Sequence, residues 1–226
     1  MPAQGGNLFQ PVPFHFLKGT SMTASPLAPS RPRVFVRWRV VDIVVASVIG
    51  VASGIIFVAW NVLSTPVTDP LKALLPGLQA VGGGFWLFAG VLTALIVRKP
   101  GAALYGEIVA ATVSALIGNQ WGPLTLVSGA TQGLGAELVF LLFFYANWRA
   151  YVALLAGAGA GLAMALTDLT LWYPGSGALF VTVYTVSAVV GGALIAGLLS
   201  WLAARGIART GALNRFASGR ESTVRV

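Results

Sequence analysis

Residues 102–117 read AALYGEIVAATVSALI, a run of sixteen residues in which Glu107 is the one charged side chain. An ionised group near the centre of a bilayer costs roughly 2.5–3.5 kcal/mol, so such a residue usually faces the interior of a helix bundle and has a partner there. Pro100 and Gly118 lie close to the two ends of the run, which is short for a bilayer about 30 Å thick. The stretch predicts a short membrane helix packed inside a bundle.

Two further apolar stretches carry an acid in the same way. Glu137 lies in Leu124–Tyr145 and Asp168 lies in Tyr151–Trp172, and none of the three stretches contains a lysine or an arginine. The partner of each carboxylate is therefore a proton, a hydrogen-bond donor or a cation from outside the protein. A small cationic ligand is the first candidate, and protonated acids bonded to neighbouring helices are the alternative.

The composition is that of a polytopic membrane protein. Of the 226 residues, 57% are hydrophobic and 9% are charged, whereas a soluble domain carries about 25% charged residues. The absence of cysteine leaves no disulfide, thiolate metal site or cysteine nucleophile. The net charge of +8 comes from basic residues in the termini and junctions, a pattern of membrane topology and not of nucleic-acid binding.

Apolar run length and turn residues predict an all-α membrane protein with six transmembrane helices. Between the first two helices, residues 64–79 contain three prolines, which predicts a loop or a short helix over one mouth of the bundle. The predicted spans are Val40–Leu63, Ala80–Val97, Ala102–Ile117, Leu124–Tyr145, Tyr151–Trp172 and Ala178–Ala204.

The basic residues predict the orientation. They precede the first span, lie between the second and third and between the fourth and fifth, and follow the sixth, whereas the opposite loops carry only Lys72. Positive residues accumulate on the cytoplasmic side, so the N and C termini are both predicted to be cytoplasmic.

The membrane domain is predicted to cover residues 34–205. Residues 1–33 are predicted to be a disordered leader, because six prolines are interleaved there with Gly, Ser and Thr. No long apolar core follows a basic start, so the leader is not a signal peptide, and Met22 is an alternative candidate for the native start. Residues 206–226 are predicted to be a basic cytoplasmic tail.

The sequence lacks common catalytic motifs. It contains no G-x-x-x-x-G-K-[ST], no H-E-x-x-H and no G-x-S-x-G, and His15 in the leader is the single histidine. The chain is therefore not expected to hydrolyse ATP through a phosphate loop, or to act as a metal or serine hydrolase.

All three acids lie on helix faces made of small residues, which let helices approach closely, so these faces are predicted to look inward. The faces are Ala103, Glu107, Ala110, Ala111 and Ser114 on the third span, Gly129, Gly133 and Glu137 beside Gln132 on the fourth, and Gly157, Gly161, Ala165 and Asp168 on the fifth.

Amide and indole side chains gather towards the outer ends of the predicted spans, as they would around a flat polar heterocycle. An interfacial aromatic belt is the alternative interpretation, above all for Trp172 and Tyr173. The predicted substrate-binding residues are Trp60, Asn61, Trp86, Glu107, Asn119, Gln120, Trp121, Gln132, Glu137, Asp168 and Tyr184.

Depth along the third span separates these candidates. Glu107 and Asn119 are about 18 Å apart along one helix, so one small ligand is not expected to contact both. Glu107 is then a floor residue or a structural one, and Glu137 and Gln132 are expected to be better placed.

A ridge of small residues, Ala46, Gly50 and Gly54, lies along the first span. Such a ridge packs helices within one chain or between chains, and the spacing leaves both open.

Four short stretches in the middle of the chain are more specific. They are Arg98–Leu104 leading to Glu107, Gly118-Asn119, Gly122-Pro123 and Gln132–Glu137. From about Trp38 to Asn214 the chain resembles the YkoE-type substrate-binding (S) component of energy-coupling-factor (ECF) transporters, the thiamine/hydroxymethylpyrimidine family. Gln120 and Trp121 depart from the pattern.

The resemblance implies an S-component bundle of six helices with cytoplasmic termini, in the plasma membrane of a prokaryote, that captures a thiamine-like vitamin from outside. It implies no enzymatic activity and no cofactor beyond the ligand, thiamine or hydroxymethylpyrimidine. The partners it implies are two ATPase subunits and a transmembrane coupling subunit, which would contact the ridge Ala46-Gly50-Gly54.

Two other functions compete with vitamin capture. A proton-coupled secondary transporter of small organic cations would use the carboxylates as proton carriers, although the internal repeat usual in such transporters is not visible. A structural membrane protein would have no ligand, and replacing its buried acids by amides would change only its stability.

Overall fold

The computed structural model describes Met1, residues 37–213 and Ser218, and its helices belong to one unit, Arg33–Val226. The predicted leader lies outside the described residues except for Met1. Of the predicted tail, residues 206–213 and Ser218 are described, and the last helix runs four residues beyond the predicted end of the membrane domain. The domain boundaries stay predictions.

The described residues form helices and no strand, which confirms the all-α fold. In chain order the elements are α1 (Val40–Leu74), a 3₁₀ helix (Leu78–Trp86), α2 (Phe88–Val97), α3 (Ala102–Ile117), α4 (Leu124–Leu142), α5 (Ala150–Leu171), α6 (Ala178–Gly191), a π-helical segment (Gly192–Leu198) and α7 (Leu199–Arg209).

Four of the described helices are long and apolar enough to cross a membrane: α1, α4, α5 and the continuous helix Ala178–Arg209. The 3₁₀ helix and α2 would together make a fifth span, bent by 40°, and α3 is a shorter apolar helix. The chain is a multi-pass membrane protein, whereas the count of six spans and the cytoplasmic orientation of both termini stay predictions.

Helix α1 is longer than predicted. It continues beyond Leu63 through Pro66 and Pro70 to Leu74, so this part of the connection is neither a loop nor a separate short helix. A proline inside a helix leaves the carbonyl four residues earlier without its amide donor. Both prolines are exposed, so the interrupted hydrogen bonds lie on the surface of the helix and not in its packed face.

The predicted second span is divided between the 3₁₀ helix and α2. A 3₁₀ helix of nine residues is long, since runs beyond three or four residues are uncommon. Its backbone packs directly on α6: a Cβ at Gly84 would lie 2.4 Å from the Gly191 carbonyl oxygen, and one at Gly191 would lie 2.1 Å from that of Val81. Only glycine permits this contact.

The ridge on α1 packs inside the chain. Ala46, Gly50 and Gly54 are buried, and a Cβ added at Gly50 or Gly54 would lie within 2.7 Å of a valine side chain on α3. Gly50 and Gly54 therefore have a contact with α3 inside the chain, whereas the contact of the ridge with a coupling subunit stays a prediction. The small residues allow α1 and α3 to approach closely, and this contact lies within one chain.

Glu137 supports the start of α3. Its Oε1 accepts hydrogen bonds from the Gly101 N–H at 2.5 Å and the Tyr145 hydroxyl at 2.7 Å, and its Oε2 accepts one from the Ala103 N–H at 2.9 Å. The first amides of a helix have no partner within the helix and carry partial positive charge, so a carboxylate is well suited to them. Glu137 is thus a helix cap supplied by α4.

These contacts lie at one end of the bundle, which we call the basic end and define by Arg39, Arg98, Lys99 and Arg149. There the Trp38 indole donates to the Pro100 carbonyl at 3.0 Å, and the Arg98 guanidinium lies 5.5 Å from the centre of the Trp148 ring.

Replacing Glu137 by Gln should lower stability. The amide loses the negative charge that the α3 amides bind, and hydrogen bonds to charged groups contribute about 1.5–3 kcal/mol. We expect the melting temperature of the detergent-purified protein to fall by about 2–4 °C for each kcal/mol lost. Tyr145→Phe, which removes one of the same bonds, should cause a smaller fall. An unchanged melting temperature in Glu137→Gln would contradict the capping role.

The orientation can be tested by single cysteines, because the protein has none of its own. Lys72→Cys and Arg209→Cys lie at exposed positions in opposite predicted compartments. A membrane-impermeant maleimide should label Lys72→Cys in intact cells and Arg209→Cys only after permeabilisation. The cysteine-free protein is the blank, and labelling of Arg209→Cys in intact cells would reverse the topology.

Candidate functional site

A cavity of about 460 Å³ lies at the end of the bundle opposite the basic end. Its wall is built by the C-terminal parts of α1, α3 and α5, the N-terminal parts of α4 and α6, and the 3₁₀ helix. Asp69 and Lys72 on its rim are exposed, whereas Glu107 and Gln132 are buried. The cavity therefore runs from the surface into the polar interior of the bundle.

The continuation of α1 supplies much of one wall. Asn61, Thr65, Thr68 and Lys72 line the cavity, at the spacing of three or four residues that places side chains on one helix face. Had α1 ended at Leu63 as predicted, this wall would be missing beyond Asn61.

A hydrogen-bonded chain of side chains orders the aromatic wall. The Trp86 Nε1–H donates to Asn61 Oδ1 at 2.8 Å, and Asn61 Nδ2 donates to Ser114 Oγ at 3.1 Å. The Trp86 ring meets the Trp121 ring edge to face, with centres 5.3 Å apart. Both indoles line the cavity, and the hydrogen bond to Asn61 together with the contact between the two rings orients them.

Glu107 is the deepest charged residue of the wall. Its side chain is 1% exposed, and its Oε2 accepts the Gly90 N–H at 2.6 Å. Its Oε1 is buried and has no hydrogen-bond partner among the described residues. Gly129 and Gly133 of α4 pack against α3 around it, which leaves no room there for a larger side chain. One oxygen of the carboxylate is therefore held by the protein and the other is not.

Asp168 provides a second carboxylate nearer the rim. The Tyr184 hydroxyl donates to its Oδ2 at 2.7 Å, and the Tyr184 ring packs against Tyr173 with centres 5.3 Å apart. All three residues line the cavity. An acid and two phenol rings thus share one side of the wall.

The structure places the eleven predicted residues in two groups. Trp60, Asn119, Gln120 and Glu137 are outside the cavity lining. Seven of them line the cavity: Asn61, Trp86, Glu107, Trp121, Gln132, Asp168 and Tyr184.

The residues outside the lining have identifiable contacts. The Asn119 Oδ1 accepts the N–H groups of Trp121 and Gly122 at 2.9 Å, so it shapes the loop that positions Trp121. Trp60 packs behind the wall against Phe85, with ring centres 4.3 Å apart. Glu137 lies at the basic end, so the expectation that it would be better placed than Glu107 for a ligand is corrected. No contact of Gln120 explains its place in the loop.

Several lining residues were not predicted. Those on α1 follow Asn61 at helical intervals. The helical spacing was not recognised because Pro66 and Pro70 predicted that the helix ends before them. Gln79 follows Pro76 and Gly77 in the connection, where no periodic pattern marks it.

The charges and rings of the lining favour an organic cation. Three residues with carboxyl groups (Asp69, Glu107 and Asp168) and one lysine line the cavity, so acidic groups outnumber basic ones there, and indole faces attract cations. The volume lies in the range of about 300–1,000 Å³ usual for small-molecule pockets. Within the described ranges, no group of three or more His, Cys, Asp or Glu is arranged to hold a metal ion.

Comparisons with known proteins agree on a family. The family described as the permease component of an ABC-type cobalt transport system matches residues 41–163. A Bacillus subtilis (strain 168) protein named HMP/thiamine permease protein YkoE is 38% identical over 200 residues, which are 81% of this chain and 92% of that protein.

A solved crystal structure of an S component of an ECF transporter has the same fold. It superposes with a TM-score of 0.75 at 35% identity, over 83% of this chain and 94% of the other. The chain therefore belongs to the YkoE-related S components of ECF transporters.

Proposed function

We propose that this chain captures thiamine or its hydroxymethylpyrimidine precursor from outside the cell, as the substrate-binding subunit of an ATP-driven importer. The observation that carries the proposal is the cavity in which the half-satisfied carboxylate of Glu107 lies with indole rings and a second acid. The name of the Bacillus subtilis relative supports the same class of ligand.

The chemistry of thiamine matches these groups. Thiamine has a permanently charged thiazolium ring and an aminopyrimidine ring with both hydrogen-bond donors and acceptors. A carboxylate can neutralise the first ring or accept a hydrogen bond from the amino group of the second. Trp86 and Trp121 can contact either ring, and Asn61 and Gln132 offer amides. The residues that we propose for substrate binding are the seven predicted residues in the lining.

An S component is not an enzyme, and it works with partner membrane and ATPase subunits. We propose that here the partners are a transmembrane coupling subunit and two ATPases, in the plasma membrane of a prokaryote. The absence of a phosphate loop from this sequence agrees with ATP hydrolysis elsewhere. We propose the vitamin as the ligand and propose no cofactor.

Tryptophan-fluorescence titration of the detergent-purified protein tests the ligand. Because Trp86 and Trp121 line the cavity, thiamine should quench fluorescence saturably at submicromolar concentration, and choline, a cation without rings, should not. Hydroxymethylpyrimidine, measured in parallel, tests the neutral ring alone. No response to either pyrimidine by fluorescence or calorimetry would overturn vitamin capture and favour the proton-coupled carrier of organic cations.

Glu107 and Glu137 are both buried, but only Glu107 lines the cavity, so substitutions at the two positions serve as test and control. Glu107→Gln should weaken thiamine binding by about tenfold or more, equivalent to 1.4 kcal/mol, because the cavity loses the carboxyl group that can neutralise or bond the ligand. Glu137→Gln makes the same chemical change outside the lining, so the folded protein should keep its affinity despite lower stability. The measurement is the dissociation constant of thiamine, determined by calorimetry for both variants and for the unsubstituted protein. Equal affinity of Glu107→Gln and the unsubstituted protein would remove Glu107 from the site.

A further inference from the structure

Gln79 is held at the cavity wall by the turn that precedes the 3₁₀ helix. Gly77 adopts φ of 106°, a left-handed conformation that favours glycine, and its N–H donates to Gln79 Oε1 at 2.8 Å. This bond fixes the orientation of the side-chain amide. Because the oxygen faces the backbone N–H, the Nε2 amino group is directed to the other side.

The amino group of Gln79 is an unused donor. Its Nε2 is buried and has no hydrogen-bond partner in the part of the chain that the structure describes. Buried polar groups in proteins are nearly always paired, so an exception calls for an explanation. Since Gln79 lines the cavity, a ligand bound there is a candidate for the missing acceptor.

Glu107 also has a buried side-chain atom without a hydrogen-bond partner. Among the described residues, three buried side-chain atoms lack a partner: Trp60 Nε1, Gln79 Nε2 and Glu107 Oε1. The last two belong to cavity-lining residues, whereas Trp60 packs behind the wall. Gln79 Nε2 is a donor, and Glu107 Oε1 is an acceptor when the carboxyl group is ionised. They come from different elements, the 3₁₀ helix and α3, and so address different parts of a bound molecule.

We propose that Gln79 is a specificity-determining residue, whose Nε2 donates a hydrogen bond to an acceptor atom of the ligand while Glu107 Oε1 accepts one from a donor group of the same molecule. This inference rests on the proposed function and narrows its ligand class. The ligand is a heterocycle that has an amino or N–H group and, at a second position, a ring nitrogen or hydroxyl oxygen. A molecule without the acceptor leaves Gln79 unpaired and binds more weakly.

A purely structural role for Gln79 is the competing explanation, since its Oε1 also supports the Gly77 turn. Two variants separate the roles. Gln79→Glu keeps the side-chain shape and an oxygen for the Gly77 N–H, but it replaces the donor by a second acceptor. Gln79→Met has a similar length and removes both groups.

The experiment measures calorimetric dissociation constants for thiamine and hydroxymethylpyrimidine, with a thermal melt of each variant. We expect both variants to bind hydroxymethylpyrimidine about tenfold or more weakly than the unsubstituted protein does. For thiamine, the added charge of Gln79→Glu offsets part of the loss, so its preference for the cation over the neutral ring should rise.

The outcomes distinguish this inference from the function on which it rests. If Gln79→Glu binds both compounds as the unsubstituted protein does, whereas Gln79→Met melts lower and binds weakly, Gln79 supports only the turn and the inference is wrong. If the unsubstituted protein binds neither compound, the proposed function fails and the inference falls with it. Weaker binding of hydroxymethylpyrimidine in both variants, together with a higher preference for thiamine in Gln79→Glu alone, supports the donor role, and weaker binding without that change in preference contradicts it.

Discussion

A carboxylate buried in an apolar bundle must be satisfied by groups of the protein or by a ligand, and this constraint separates two acids that look alike in sequence. Glu137 accepts hydrogen bonds from the first amides of α3 and from Tyr145, so its charge is used to hold a helix in place. Glu107 lies on α3 itself. Its Oε2 accepts a hydrogen bond from a backbone N–H, and its Oε1 has no partner among the described residues. The first acid holds the start of α3, and the second, which lines the cavity, has one oxygen without a hydrogen-bond partner among the described residues.

Local features of the sequence predicted the helices well. The predicted third span coincides with α3, and the fourth and fifth begin and end within three residues of α4 and α5, because apolar runs and Pro or Gly residues at their ends are local signals. Predictions failed where contacts between residues far apart in the sequence determine the local structure. Pro66 and Pro70 stay inside α1 because their face is exposed, and Gly84 lies in a 3₁₀ helix where its backbone meets that of Gly191.

The site could be predicted in part, for a related reason. Residue type and depth were enough to select Trp86, Asn61 and Asp168 as candidates, and the structure brings them to one cavity. Periodicity identifies the face of a helix but not the helix that covers it. The spacing of Gly50 and Gly54 therefore did not identify α3 as the helix that packs on them, and the position of Glu137 in the sequence did not reveal that it binds the first amides of α3.

Residues from six elements meet in the cavity, so a ligand that contacts several of them binds tightly only while those elements keep their relative positions. A transport subunit must later release what it has bound, and release requires a state in which the affinity is lower. The 3₁₀ helix brings Gln79 and Trp86 to the cavity and packs closely on the α6 backbone at Gly191. A state in which either element has a different position would have a different cavity wall, and therefore a different affinity for the ligand.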